Sequence, residues 1–152
     1  MEFAVDLLKQ LAGVAMDALP NETGGLLIGW RDGETVVVCA WLQLGTPNPR
    51  RNRFEIDSKK ATSALKGYLR TAANPLEGYV GAWHTHPALE APSGRDFETF
   101  RSSAAATQAP LAFVVLATEG SSSVAHVVWS GRQNHEIIIE TQKPIALGRI
   151  AE

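Results

Sequence analysis

The sequence predicts a single α/β domain, residues 1–152, in which helices flank a mixed β-sheet. Two observations carry that expectation. Apolar residues recur at three- and four-residue steps in some windows and as short β-branched or continuous runs in others, so both periodicities are present. The helical windows interrupt a nearly contiguous block of strands, the pattern of helices laid on a sheet. At 152 residues and 45% hydrophobic, the chain can bury one sizeable core but not two large ones.

The elements follow in order. From Phe3 to Leu19, Leu7, Leu8, Leu11, Val14, Ala15 and Ala18 form one face with Asp6, Lys9, Gln10 and Asp17 between them, an amphipathic helix that Pro20 and Asn21 close. Gly24-Gly25 leads into Leu26 to Trp30, a short apolar run that reads as a buried strand. Asp32-Gly33 is a hairpin turn signal, and Thr35 to Leu44 supplies the second arm. Pro47 and Pro49 exclude regular structure from Gly45 to Asn52, because each lacks the donor that a ladder needs. Arg53 to Ile56 reads as a short strand, and Asp57 or Ser58 caps a helix through Leu69, closed by Asn74-Pro75. Tyr79 to His84 is a central strand, followed by a Pro-rich loop and a helix from Ser93 to Gln108. Leu111 to Thr118 and Val124 to Trp129 pair around a polar linker, and Ile137 to Glu140 is the last strand. No internal repeat and no domain boundary interrupts this order.

Composition narrows the function. Fourteen basic against sixteen acidic residues give a net charge of −2, with no long basic run, so nucleic acid and anionic membrane are not expected partners. The single cysteine, Cys39, excludes an intramolecular disulfide and any zinc site that needs a cysteine pair. Charged residues break up the N-terminal apolar stretch, and no apolar run reaches the roughly 20 residues of a membrane span, so a cytoplasmic protein is expected.

The informative segment runs from His84 to Asp96. His84 and His86 sit two apart at the end of a strand, and the strand period of two sends both imidazoles to one side, where they can meet one ion. The loop then returns the chain so that Asp96, in the first turn of the next helix, can add a carboxylate oxygen. Three protein ligands leave a fourth tetrahedral position for water, which is a catalytic rather than a structural zinc arrangement. Ser93-x-x-Asp96 also reads as a helix-capping box, and the two readings are compatible.

These residues resemble the motif of the JAMM or MPN-domain zinc metallopeptidases: an upstream Glu, then His-x-His-Pro, a short loop and Ser-x-x-Asp. The match is Glu22, His84, His86, Pro87, Ser93 and Asp96, and Glu22 to Gly29 is similar to the opening of the bacterial branch. The resemblance implies a JAB/MPN fold, related to the cytidine-deaminase-like architecture. It implies zinc on His84, His86 and Asp96 acidifying a water, Glu22 as general base and Ser93 as donor to the oxyanion. It further implies a zinc isopeptidase or peptidase that cuts after the C-terminal glycine of a ubiquitin-like protein. Similar bacterial proteins process ubiquitin-like or sulfur-carrier proteins with a Gly-Gly tail, or conjugates in antiviral operons, and either substrate class suits this sequence. A non-catalytic MPN scaffold is the alternative of another class, although such members lose motif residues that are all present here. A nucleoside deaminase is excluded because its signature needs a Cys-x-x-Cys pair.

Other residues read more plainly. His126 and His135 are expected to be structural or exposed, Arg50, Arg51 and Arg53 form a small basic cluster in the Pro-rich loop, and Cys39 is expected to behave as a buried small hydrophobe. Trp30, Trp41, Trp83 and Trp129 are expected on sheet faces or in the core, with Trp83 notable for directly preceding the first histidine of the motif.

Overall fold

The computed structural model of the protein describes residues 1–44 and 55–149, so the Pro-rich loop and the arginine cluster lie outside the described residues. The element order is β1 (Glu2–Phe3), α1 (Leu7–Ala18), β2 (Gly24–Asp32), β3 (Thr35–Gln43), α2 (Ser58–Leu69), β4 (Gly78–His86), α3 (Gly94–Thr107), β5 (Leu111–Glu119), β6 (Ser122–Gln133), β7 (Glu136–Thr141) and β8 (Ile145–Arg149). The strands form one mixed sheet in the order β1-β3-β2-β4-β5-β6-β7, with β8 also on β6. Two pairings, β1 with β3 and β4 with β5, are parallel, and the rest are antiparallel.

α1 covers one sheet face. Leu7, Leu11, Ala12 and Ala15 are buried against Leu27, Val80, Trp83, Val114 and their neighbours, the largest core cluster. Full burial of a leucine such as Leu11 contributes about 1.5–3 kcal/mol. The helix begins at Leu7 rather than Phe3 because Glu2 and Phe3 are drawn into parallel pairing with Val37 and Val38. The opposite face carries α3, whose Phe100 stacks on Phe113 with centroids 4.4 Å apart, above Leu111, Val115 and Val128. α2 lies over the same face, with no fully buried residue. Its N-cap is Asp57, whose carboxylate accepts from the Lys59 and Lys60 amides, as the sequence reading anticipated.

Two further expectations need correction. Glu55 and Ile56 are irregular rather than strand, since no neighbouring strand pairs with them among the described residues. Ile137 to Glu140 is not the last strand: β8 follows it. β6 is long enough to carry β7 along Val128–Gln133 and β8 along Ser122–Ala125, one after the other on the same edge. α2 ends at Leu69, as expected.

β2 sits between β3 and β4, and its Gly25 and Gly29 are there for space. A Cβ on Gly25 would land on the Leu42 carbonyl of β3. Gly25→Ala should therefore lower stability by about 3 kcal/mol or more, the upper range for overpacking, because the obstacle is sheet backbone and not a side chain that can turn away. A denaturant midpoint indistinguishable from that of the wild type would show that β2 and β3 can separate without cost.

Candidate metal centre

β4 delivers the two histidines. Its alternation turns Trp83 and Thr85 toward the α1 side, where both are buried, and His84 and His86 toward the cleft between α2 and α3. α3 delivers the carboxylate. Ser93 is its N-cap, with Oγ accepting from the Asp96 amide at 3.2 Å, and the Ser93 amide donates back to Asp96 Oδ2 at 2.7 Å. This reciprocal cap fixes the rotamer of Asp96 before any ligand is considered.

The donor atoms converge. Asp96 Oδ1 lies 3.0 Å from His84 Nε2 and Oδ2 lies 3.2 Å from His86 Nε2, and one donor atom from each residue falls within 4.8 Å of the others. An ion with four tetrahedral bonds of about 2.0–2.2 Å holds its ligands roughly 3.3–3.6 Å apart, so the spacing is close to what such an ion requires. Two details support that fit. His84 Nε2 is shielded from solvent and, despite its short approach to Asp96, is not in good hydrogen-bond geometry with it, which leaves a buried ring nitrogen to be satisfied. His86 Nδ1 lies 3.3 Å from the Glu90 carbonyl, which can accept only from an N–H and so leaves Nε2 free to ligate. Two imidazoles and one carboxylate suit zinc better than the oxygen-seeking Mg²⁺ or Ca²⁺.

The electrostatics are those of a tightly coupled cluster. Burial pushes the Asp96 carboxyl upward, but the two imidazoles and the Ser93 amide outweigh it and hold the group well below the usual carboxylate range. His86 is raised, chiefly by its contact with Asp96 and against the opposing effect of burial, with Glu22 adding a smaller electrostatic contribution. Glu22, half-buried immediately before β2, lines the same cleft as His84, His86, Ser93 and Asp96. The cleft has a volume of about 670 Å³, and its apolar floor includes Leu26, Ala82 and Phe113. All five residues singled out from the sequence therefore meet in one cleft.

The remaining expectations resolve differently. The side chain of Trp83 is core, only 1% exposed, with its indole N–H donating to the Leu42 carbonyl at 3.2 Å. His126 shares a cross-strand row with Val115 and His84 but stays outside the donor cluster, and burial lowers its pKa. Cys39 is half-buried and more than a small hydrophobe: its thiol donates to Glu77 Oε1 at 2.9 Å, an oxygen that also accepts from the Tyr68 hydroxyl. Burial first and Glu77 second push that thiol up to about 12. Sequence reasoning missed the Glu90 carbonyl, since a backbone acceptor leaves no trace in side-chain chemistry.

Comparison with known proteins agrees with this geometry. A protein of Vibrio cholerae named CD-NTase/cGAS isopeptidase is 28% identical over 129 residues, spanning 82% of this chain and 76% of its own length. A solution structure from Desulfitobacterium hafniense shares the fold with a TM-score of 0.63 at 22% identity, covering 91% of this chain and 88% of that one. Another from Salinibacter ruber has a TM-score of 0.58 at 17% identity over 95% and 90%. Residues 4–137 match the family described as prokaryotic homologs of the JAB domain, and with nearly the whole chain matched, the protein belongs to that prokaryotic branch of the JAB/MPN family.

Proposed function

We propose that the protein is a zinc-dependent isopeptidase or peptidase that cleaves after the C-terminal glycine of a ubiquitin-like protein, freeing it from a conjugate or trimming its precursor. The observation that carries this reading is the convergence of His84, His86 and Asp96 in a cleft also lined by Glu22 and Ser93. The name of the Vibrio cholerae relative points to a protein conjugate as substrate and makes a conjugated CD-NTase the first target to try. A scaffold role has no comparable support, because the full donor set is in place.

His84, His86 and Asp96 would hold the zinc, which would supply Lewis acidity, lowering the pKa of water toward about 7 and polarising a carbonyl. Glu22 accepts the proton of the attacking water and delivers it to the leaving amine as the carbon–nitrogen bond breaks. Ser93 Oγ already accepts from the Asp96 amide, so its own proton is available to the oxyanion that forms at the scissile carbonyl. A Gly-Gly tail suits the cleft because, without side chains, its backbone can approach the ligand cluster closely.

Ser93→Ala should retain zinc and lose about 10²–10³-fold in turnover, with a separate stability loss of roughly 1 kcal/mol from the missing cap. Turnover at saturating substrate and a denaturant midpoint distinguish the two effects. The function itself is tested on fusions in which a ubiquitin-like domain or a sulfur-carrier protein ends in Gly-Gly and is joined either linearly or through a lysine side chain. Product masses should show hydrolysis after the terminal glycine that stops on chelation. Intact fusions of every kind, with zinc loaded, would overturn the proposal.

A further inference from the structure

We infer that Thr85, the residue between the two histidines, is the positioning residue for Glu22, an inference that rests on the reading of Glu22 as general base. Glu22 and the His84 to His86 segment lie more than sixty positions apart, and regular pairing of β2 with β4 ends at Gly24 and His84, two steps short of Glu22. Beyond that pair the ladder continues in altered form. The Thr85 amide donates to the Thr23 carbonyl at 2.9 Å, but the Thr23 amide donates to Thr85 Oγ1, also at 2.9 Å, instead of to a backbone carbonyl. Thr85 Oγ1 in turn lies 3.4 Å from the Thr23 carbonyl, and Gln43 Nε2 donates to Thr23 Oγ1 at 3.0 Å from the third strand.

The amide of Thr23 belongs to the same planar peptide unit as the carbonyl of Glu22. Fixing that N–H fixes the orientation of the plane, and with it the backbone angle that aims Glu22 out of the sheet. Thr23 is 0% exposed and Thr85 2%, so no water can substitute for the hydroxyl as acceptor. Beside the backbone bond from the Thr85 amide, one side chain thus fixes the peptide plane of the base's carrier against the strand that carries two of the donors. General-base catalysis depends on such placement, and an error of about 1 Å can cost on the order of 10²-fold.

Thr85→Val removes the acceptor while keeping the shape. In the zinc-loaded enzyme it should lower kcat by about 10- to 100-fold with KM and zinc content unchanged, and Thr85→Ser should recover kcat to within a few-fold. In a Glu22→Gln background the same substitution should cost nothing further, whereas a purely structural role would give additive losses. Wild-type kcat in Thr85→Val, or additivity with Glu22→Gln, overturns the inference. Amide exchange by NMR supplies a readout independent of turnover and, in the wild type, of any substitution. The Thr23 amide should be protected in the wild type and in Thr85→Ser, and exposed in Thr85→Val while the rest of β2 and β4 stays protected. Free exchange at Thr23 in the wild type overturns the clamp outright. Protection at Thr23 in an enzyme that cleaves no fusion would instead overturn the proposed function and leave the clamp standing.

Discussion

A Glu22→Gln variant should fold, keep its zinc and turn over substrate about 10²–10⁴-fold more slowly than the wild type, a barrier increase of roughly 3–5 kcal/mol. The substitution changes little in shape. It removes the one property that the proposed reaction needs from this position, a carboxylate that can take a proton and return it to the leaving amine. Glu22 lines the cleft and is not a member of the donor cluster, so metal content should be insensitive to its charge. The measurement is kcat with zinc content on the same sample. Undiminished cleavage in Glu22→Gln would remove this residue from the reaction and dissolve the link between the N-terminal half of the chain and the His84 to Asp96 segment.

The second large effect concerns the donors. His84→Ala and Asp96→Ala should each abolish zinc retention, read by elemental analysis against close to one ion per wild-type chain, and with it all turnover. Secondary structure and a cooperative melt should survive, because the core lies elsewhere. Leu11 of α1 packs on Leu27, Trp83 and Val114 of the sheet, and Phe100 of α3 packs on Phe113, without recourse to an ion. His84→Ala is the cleaner of the two, since Asp96 also closes the cap of α3 and its loss should cost a further 0.5–2 kcal/mol or so of stability. Protons compete for the same atoms. Because Asp96 raises the pKa of His86, acidification should displace the ion earlier than it would at a free imidazole. Full zinc content in both variants would refute the ligand assignment, and outright unfolding on chelation would point to a structural ion.

Much of this arrangement was legible because local signals and tertiary demands coincide. The Asp32-Gly33 signal between two β-branched or apolar runs, the Asp57 cap, and the histidine pair followed by Ser93-x-x-Asp96 are each short-range patterns; the caps sit where the pattern places them, and the hairpin turns one residue on, at Gly33-Glu34 with Asp32 paired to Thr35. What escaped the sequence depends on partners far along the chain. β1 is two residues long and exists only because β3 offers an edge, and two residues carry no periodicity to read. β6 was expected only from Val124 to Trp129, but pairing with β5, β7 and β8 extends it over Ser122, Ser123 and the polar Arg132 and Gln133, whose own strand preference is weak. Most of all, nothing local announces that β2, already paired with its hairpin partner β3, also lies beside β4 on its other edge. That pairing sets Gly24 opposite His84 and so brings Glu22 to the histidines.

The carboxylate of Asp96 answers to two masters, the first turn of α3 and the donor cluster, and the two would not choose the same residue. A capping box is ordinarily completed by glutamate or glutamine. One additional methylene would displace the carboxylate oxygens by about 1.5 Å relative to the imidazole nitrogens while still allowing them to reach the Ser93 amide. The helix tolerates either length, but the ligand cluster is built for the shorter. In this chain, Asp96→Glu should therefore leave the start of α3 intact while carrying the carboxylate out of register with the two imidazoles.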